Sequence, residues 1–546
     1  MKSMIVYQQF KKCTILFTLG IVCIFLTYVI YVVDPINILI KYNTQMTPHS
    51  FLFSIWKKPP VDIYLNVYIF NITNPVEFLS GKEKLKVQEV GPYVYQEFLE
   101  NNNITFNDNG TLTYIPRRKI VYVPEMSVNN PAKDMLNVPN IPLLGVSSAL
   151  HDAGFLVNYP VVQLANVMGS KPILNISVYD YLWGYEDSMV TLASEIVPNF
   201  INFKKFGLLD RMYDEGENIV TMNLRKNSDM VNEKGRYLSI DKYNGSPGLA
   251  QWGYIETEDN KTQEGNSICN TIQGATEGII FPPRMDKRAI FRVFRKAFCR
   301  TLPIKFKKEV KQDGLSGYLY TLTDDFAEPP DRNSDNECYC RKKKTCLKKG
   351  LCNLTPCYYN IPAAVSLPHF LDADPSLLED IEGLKPDRKK HESFAILQQA
   401  FGIPIKVHSR MQTNLIMYPT RYNSKIAVFN DIAVPIFWTD MYIPFLPTYL
   451  YILLILILQI LPIAQTVLIY LLGIIGMMMI VLSLTSTLRI FNKQQQEQEQ
   501  EAIRSLNNPD LKIPLCNGQY NSINILPIIK KITSKTDLFT VEAPYS

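Results

Sequence analysis

Histidine is scarce in this chain: five in 546 residues, at positions 49, 151, 369, 391 and 408. No two stand at a metal-ligand spacing, so each reads as a structural or surface residue. A His-Glu-x-x-His metalloenzyme is excluded, and no metal site is expected. The chain also lacks a Gly-x-Ser-x-Gly elbow, a Walker loop and a strand-linked dinucleotide fingerprint. Paired acids such as Asp324-Asp325 read as solvated loop residues. No catalytic residue, no cofactor and no enzymatic activity are expected. A strong charge imbalance is missing too. The net charge is +5, too mild for a nucleic-acid partner. With 47% apolar and 20% charged residues, the chain is not disordered overall.

Charge is absent altogether from two stretches. Residues 13–33 carry none, enough to cross a hydrocarbon core of about 30 Å, and Asp34-Pro35 should stop the helix. No small-residue cleavage site follows, so the segment reads as an uncleaved anchor and not a signal peptide. Lys2, Lys11 and Lys12 precede it, which places residues 1–12 in the cytosol. The second stretch, 449–488, is too long for one span and is divided by Pro462. A two-span hairpin would leave Arg489 outside. One crossing at 466–488, with 449–461 in or on the outer leaflet, returns the tail 489–546 to the cytosol. Residues 34–465 are then exoplasmic. Seven sequons, at Asn71, Asn103, Asn109, Asn175, Asn244, Asn260 and Asn353, all fall in that window.

Within it, 61–73, 85–98, 104–115 and 119–124 alternate apolar and polar residues as strands do. Asn109-Gly110 is a hairpin signal, and Gly91-Pro92 interrupts the second segment. From about 131 to 200 the apolar spacing becomes helical. Pro160 is expected to break that stretch into two short helices, and 178–192 to form a third. Strand patterns resume near 219–223, 237–242, 318–323, 403–417 and 425–429. The reading is α+β with a dominant antiparallel sheet, barrel-like. In the tail, Tyr520-Asn-Ser-Ile523 fits a tyrosine-based sorting signal, and no acidic-dileucine signal is present.

Five of the ten cysteines lie between Cys338 and Cys357. Their spacing suits either a soft metal or disulfides. An exoplasmic location favours disulfides. Between them stand Arg341, Lys342, Lys343, Lys344, Lys348 and Lys349, either a solvated protrusion or a docking patch for an anionic ligand. Arg288, Arg292, Arg295, Lys296 and Arg300 alternate with Phe291, Phe294 and Phe298. They read mainly as an amphipathic element with its aromatics in the core.

Several blocks together resemble the class B scavenger receptors, the family of platelet glycoprotein IV, the lysosomal integral membrane protein and croquemort. They are NPVEFLSGKEKLKVQEVGPYVYQE (74–97), LWGYED (182–187), CNTIQGATEGIIFPP (269–283), AFCR (297–300), the cysteine cluster, SLPHFLDADP (366–375) and PIFW (435–438). The resemblance implies a β-barrel ectodomain with an apical helical cap, one transmembrane helix at each end, and an internal apolar tunnel passing lipid to the bilayer. It implies the pairs Cys269–Cys338, Cys299–Cys357 and Cys340–Cys346 in a hub over 269–357. Cys352 replaces an apolar residue and is left over: a free thiol, an altered pairing or an intermolecular bond.

By the same resemblance, lipid capture would fall to cap cations. Between 143 and 177 the chain offers Lys171, with His151 as a second, pH-dependent one. Such an apolar cap suits neutral lipids, sterols, carotenoids or a protein partner. The expected function is a plasma-membrane receptor that binds lipids, fatty acids, sterols or lipoprotein-like particles, apoptotic cells included. A lysosomal or endosomal protein carrying a partner enzyme, or exporting lipid, is the first alternative. A sensory neuron membrane protein-like co-receptor is the second.

Overall fold

A computed structural model describes residues 2–196, 201–213, 218–225, 236–256, 265–340, 346–420 and 422–506. The first apolar stretch is the helix α1 (Lys2–Val33), which ends where expected. Asp34 takes a left-handed conformation, φ 46°, and its carboxylate accepts from Asn37 N–H at 3.3 Å. It thereby caps α2 (Pro35–Asn43), whose first residue is the proline that a first helical turn tolerates. Ser50 caps α3 (Phe51–Lys57), its Oγ accepting from Phe53 N–H at 3.1 Å. Trp56 on α3 is fully buried and meets the Tyr114 ring edge-on at 4.7 Å.

The sheet follows. Its main strands are β1 (Ile63–Ile72), β2 (Leu85–Asn107), β3 (Thr111–Tyr122), β4 (Val220–Asn223), β5 (Ile240–Tyr243), β6 (Phe291–Arg295), β7 (Arg300–Gln312), β8 (Leu315–Leu322), β9 (Phe394–Gln398), β10 (Ile403–Ile416) and β11 (Ala433–Ile443). The hydrogen-bonded order is β6-β7-β8-β9-β10-β11-β1-β2-β3-β4-β5, antiparallel at every step. Almost every neighbour in space is the next strand in sequence: the Asn109-Gly110 turn joins β2 to β3 directly, while long insertions over 123–219 and 323–393 leave from and return to adjacent strands. The exception is β11 against β1, in register Tyr64↔Tyr442. Residues 274–276 lie between the two ends of this path. Gly274 N–H donates to Ile240 O at 2.9 Å and Ile240 N–H to Ala275 O at 2.7 Å. Thr276 N–H then donates to Arg292 O, and Phe294 N–H to Thr276 O, both at 2.8 Å.

At Gly91, φ is +150°, and a Cβ there would lie 2.7 Å from Val67 O. Glycine is required where β2 passes the irregularity between Val67 and Ile69 on β1. The segment 425–429 is a short 3-10 turn, not a strand; the expected strand lies further on, as β11.

Over 131–200, Met135–Pro139 pairs with Ile173–Ser177 as a two-stranded ribbon. Between them stand α4 (Ile141–Ala149) and α5 (Phe155–Val167). Pro160 does not break the stretch: it lies within α5, in the second turn, where its missing N–H costs one helical bond. The break falls at 150–154 instead. The expected third helix is two, α6 (Val178–Trp183) and α7 (Ser188–Ile196), parted at Gly184 with φ +137°. The last helix of this region is α8 (Leu208–Tyr213).

At the other end, α9 (Thr448–Ile455) passes through a π-helical turn, Leu456–Ile460, into α10 (Leu461–Leu506). There is no hairpin. The widened turn directly before Pro462 absorbs the ring that would otherwise clash with the preceding turn.

By contacts the chain divides into 33–466 and the paired ends, 1–32 with 467–546. Within the paired ends the two apolar helices meet at glycines. A Cβ on Gly20 would lie 2.9 Å from Gly476 O and 2.7 Å from Ile480. Ser483 Oγ donates to Cys13 O at 2.7 Å. Small residues and side-chain-to-backbone bonds are what hold helices together in lipid.

Candidate functional site

Three disulfides knit the hub: Cys269–Cys338, Cys299–Cys357 and Cys340–Cys346, with Cα separations of 6.0, 5.9 and 4.7 Å. The first two close loops of 69 and 58 residues, where a cross-link stabilises by about 4 kcal/mol through the unfolded chain. Cys352 is an unpaired, buried thiol. It packs with Leu302, Leu354, Val365 and Met411, and burial pushes its pKa up. It acts there as a small apolar residue. Cys13 and Cys23 are also unpaired.

The basic residues scatter on inspection. Arg341, Lys342, Lys343 and Lys344 lie outside the described residues, as do Asn260, Cys516, Tyr520 and Ile523. Lys349 pairs with Glu328 at 2.6 Å, and Lys348 is exposed. The second cluster is not an amphipathic face. Phe291 and Phe294 are buried, but so are Arg292 and Arg300. Arg292 donates to Thr271 O and Gln273 O, both at 3.0 Å, and the Arg300 guanidinium lies 3.6 Å over the Tyr339 ring. Both are structural fasteners.

In the cap, α4 is buried on nearly all sides, and Asn140 Oδ1 accepts from Leu143 N–H at 3.1 Å to start it. Helix α5 does the reverse. Phe155, Leu156, Val157, Tyr159 and Val167 are all exposed, Leu156 at 86%. Lys171 is exposed beside this helix and makes no ion pair with the described residues. His151 is held by Ser148 O at 2.9 Å and Asp152 at 3.1 Å, stacked on Tyr418.

Two small apolar cavities, each partly open, lie in the large unit. One, of 80 Å³, is lined by cap residues Ile141, Phe206 and Leu208 and by Met411, Phe437 and Thr439 of the sheet. The other, of 90 Å³, is lined by Ile55 of α3, Ile63, Ile403, Met441, Ile443, and Leu450 of α9. Strand β11 serves both: Ile436, Phe437 and Thr439 line the first, and Met441, Tyr442 and Ile443 the second. A strand's period of two puts Phe437, Thr439, Met441 and Ile443 on one face.

An ionic cluster stands nearby. Tyr213 Oη donates to Glu97 at 3.0 Å, and Arg118 lies 3.8 Å from Glu97 and 4.0 Å from Glu277. Tyr114 Oη donates to Glu277. Burial first, then these carboxylates, raise the pKa of both tyrosines.

Sequence spacing concealed one cluster entirely. His369 Nε2 donates to Glu89 Oε2 at 2.6 Å, Trp438 Nε1 to the same oxygen at 2.8 Å, and the rings of His369 and His391 stack at 4.5 Å. The three residues come together from strand β2 and two distant loops, so no local motif could show it. Glu89, His369 and His391 are close enough to surround a cation, but the rings are turned the wrong way. Lys385 N–H donates to His369 Nδ1 and Asp387 N–H to His391 Nδ1, both at 3.0 Å. Each neutral ring therefore carries its proton on Nε2, the atom that would have to bind a metal. Burial pushes the Glu89 pKa up, but the bonds from His369 and Trp438 outweigh it, and the net shift is down.

A model of the CD36 family matches residues 14–487. Among curated proteins, scavenger receptor class B member 1 of Rattus norvegicus is 30% identical over 425 residues, 77% of this chain and 79% of the relative. The protein of the same name from Sus scrofa is 28% identical over 397 residues, 72% and 73% of the two chains. Lysosome membrane protein 2 of Homo sapiens is 32% identical over 371 residues, 66% and 71%. The family match begins in the first apolar helix, covers the sheet, the cap and the disulfide hub, and ends in the second: the chain is a membrane protein that belongs to the CD36 family.

Proposed function

We propose that this protein is a two-pass membrane receptor that binds lipids or lipid-bearing particles, apoptotic cells among them, and passes lipid through its interior to the bilayer. The single observation that carries this reading is strand β11, which lines the cap-side cavity with Phe437 and Thr439 and the cavity beside α3 and α9 with Met441 and Ile443, four residues of one face. Residues 274–276, bonded to both ends of the sheet path, close the barrel around that route. Each methylene exposed to water costs about 0.8 kcal/mol, and an apolar interior removes that cost along the way. No chemical step is needed, and the protein is read as a receptor and not an enzyme. The names of its relatives support the receptor reading.

The exposed apolar face of α5 is the capture surface for a lipid particle or a protein ligand, with Lys171 at its edge and Arg341–Lys344 as a second, basic contact. Both termini are cytosolic, 13–33 and 466–488 cross the membrane, and the exposed sequons carry glycans. The plasma membrane is the primary location, with Tyr520-Asn-Ser-Ile523 directing uptake. Surface labelling of cells expressing the tagged protein, with fluorescent lipid uptake in the same cells, tests this. The reading expects surface protein and raised uptake; surface protein with no gain sinks it. The likeness to a lysosome membrane protein favours a second reading, in an endosomal or lysosomal membrane with a partner enzyme on α5. Signal confined to acidic vesicles would support it.

A further inference from the structure

The large unit is entered and left at one point. Gln465 Nε2 donates to Asp34 Oδ1 at 3.1 Å, and Ile36 N–H donates to Gln465 Oε1 at 3.4 Å. Asp34 directly follows the first uncharged stretch, and Gln465 directly precedes the second crossing at 466–488. With both tethers leaving there, this end of the unit faces the bilayer. Two helices at that end turn apolar side chains outward. On α2, Ile38, Leu39 and Tyr42 are exposed, while Ile40 packs on the core. In and beside α9, Phe445, Tyr449, Ile452 and Leu456 are exposed at helical spacing, and Leu450 and Leu454 are buried. Tyr451 Oη donates to Asp313 O at 2.5 Å and Gln459 Nε2 to Gly314 O at 2.7 Å, which fastens the turn between β7 and β8 to α9. Three cations border these helices: Lys41 on α2, Arg284, whose Nη2 donates to Asn37 Oδ1 at 3.0 Å, and Lys311, just before that turn. All three are exposed and make no ion pair among the described residues. The nearby acids are engaged: Asp34 by Asn37 N–H and Gln465, Asp286 by Arg288, Glu309 by Lys287 and Asp313 by Gln312.

We propose that this end of the ectodomain is a docking surface for anionic phospholipid in the exoplasmic leaflet of the protein's own membrane. The apolar faces of α2 and α9 lie in the interface, with Ile38, Leu39, Tyr449 and Ile452 against the upper part of the lipid chains. Lys41, Arg284 and Lys311 stand at headgroup level and meet the phosphates. Amphipathic helices with a cationic border bind such a surface through apolar area and charge together. Tyr42 and Tyr449 present the amphipathic rings that favour that depth. Exposed apolar patches on a protein surface mark a partner, and here the partner is the leaflet to which the same end of the unit is tethered. The cations come from three segments far apart in sequence, so the surface exists only in the folded unit. It would hold the ectodomain in a fixed orientation over the bilayer and make that hold depend on the charge of the leaflet. The inference rests on the two spans and not on the interior route.

The test follows hydrogen exchange of the amides in 35–43 and 448–456. It uses the full-length protein in nanodiscs of phosphatidylcholine alone, or of phosphatidylcholine mixed with phosphatidylserine. A local readout is needed because Lys2, Lys11, Lys12 and Arg489 would draw phosphatidylserine on the other side. Exchange should be several-fold slower in the mixed discs, each cation at an anionic surface being worth about fivefold in binding. High salt should remove the difference. The combined Lys41→Gln, Arg284→Gln and Lys311→Gln variant should exchange alike in both discs, with the rest of 33–466 as protected as before, which shows that it has folded. Ile38→Ser with Tyr42→Ser should speed exchange of 35–43 in both. Equal exchange of the unmodified protein in the two discs would overturn the proposal. So would a triple variant that still responds to phosphatidylserine, or a double serine variant with unaltered exchange.

Discussion

Cys352 is held by packing and not by chemistry. Its thiol faces Leu302, Val365 and Met411, so Cys352→Val should leave the melting temperature and surface level unchanged. Cys352→Ser places a hydroxyl without a partner in the same core and should destabilise by about 1–3 kcal/mol, read as a fall in melting temperature. The sequons divide by the same logic. Asn103, Asn109 and Asn175 are exposed. The Asn353 amide is committed at both ends, donating to Tyr339 O at 3.1 Å and accepting from Thr355 N–H at 2.9 Å, and so is the Asn244 amide, donating to Asn218 Oδ1 at 3.0 Å and accepting from Ile219 N–H at 2.8 Å. Asn71 is half-buried and accepts from Asn137 N–H at 2.9 Å. Glycopeptide mapping should find sugar on the first three and little on Asn353, Asn244 and Asn71. Single residues were the least legible level of the sequence. Arg292 and Arg300 read as surface cations, because nothing local reveals that they reach backbone carbonyls on other segments.

At the scale of elements, the stacked rings of His369 and His391 tie the loop 383–392 to β2. The His391 pKa is pushed down to about 4, by burial first and by His369 second. In the unfolded chain its ordinary value is near 6.5. Between those values the unfolded chain binds a proton that the folded one refuses, so stability is full above pH 6.5 and is lost as pH falls toward 4. Thermal melts should show that slope, and His391→Phe should flatten it. In the membrane pair, Gly20→Leu sets a side chain against Gly476 O and Ile480; surface protein should fall about several-fold, while Gly473→Leu, with only Thr27 within 4 Å at 3.8 Å, should be mild.

Elements were legible wherever the signal was local. The strands β1 to β3 followed from alternation and the Asn-Gly turn, and α1 from its missing charges. The errors came where one residue works by position. Pro160 costs α5 one bond without ending it, Gly184 ends a helix that composition would continue, and the π-turn carries α9 past Pro462.

For the whole molecule, the large unit is a meander whose first strand lies between its second and its last. That pairing of β1 with β11 joins residues as far apart in sequence as Tyr64 and Tyr442, and no pattern along the chain announces it. The strand pattern suggested a barrel-like sheet, and the resemblance to a family set a helical cap at its apex. The proposed interior route would draw on side chains from β10, β11, the cap and the α3–α9 end, none of which is special in sequence. Glycosidase digestion should remove mass from the intact protein, as expected if 34–465 faces away from the cytosol. The route itself is tested by plugging it. Thr439 is buried on the inner face of β11 and lines the cap-side cavity, so Thr439→Trp fills the passage. At matched surface levels, cells with the unmodified protein should take up fluorescent lipid above background, and cells with Thr439→Trp should fall back to it while still binding lipid particles at the cap. Uptake by Thr439→Trp equal to that of the unmodified protein would contradict passage through the interior.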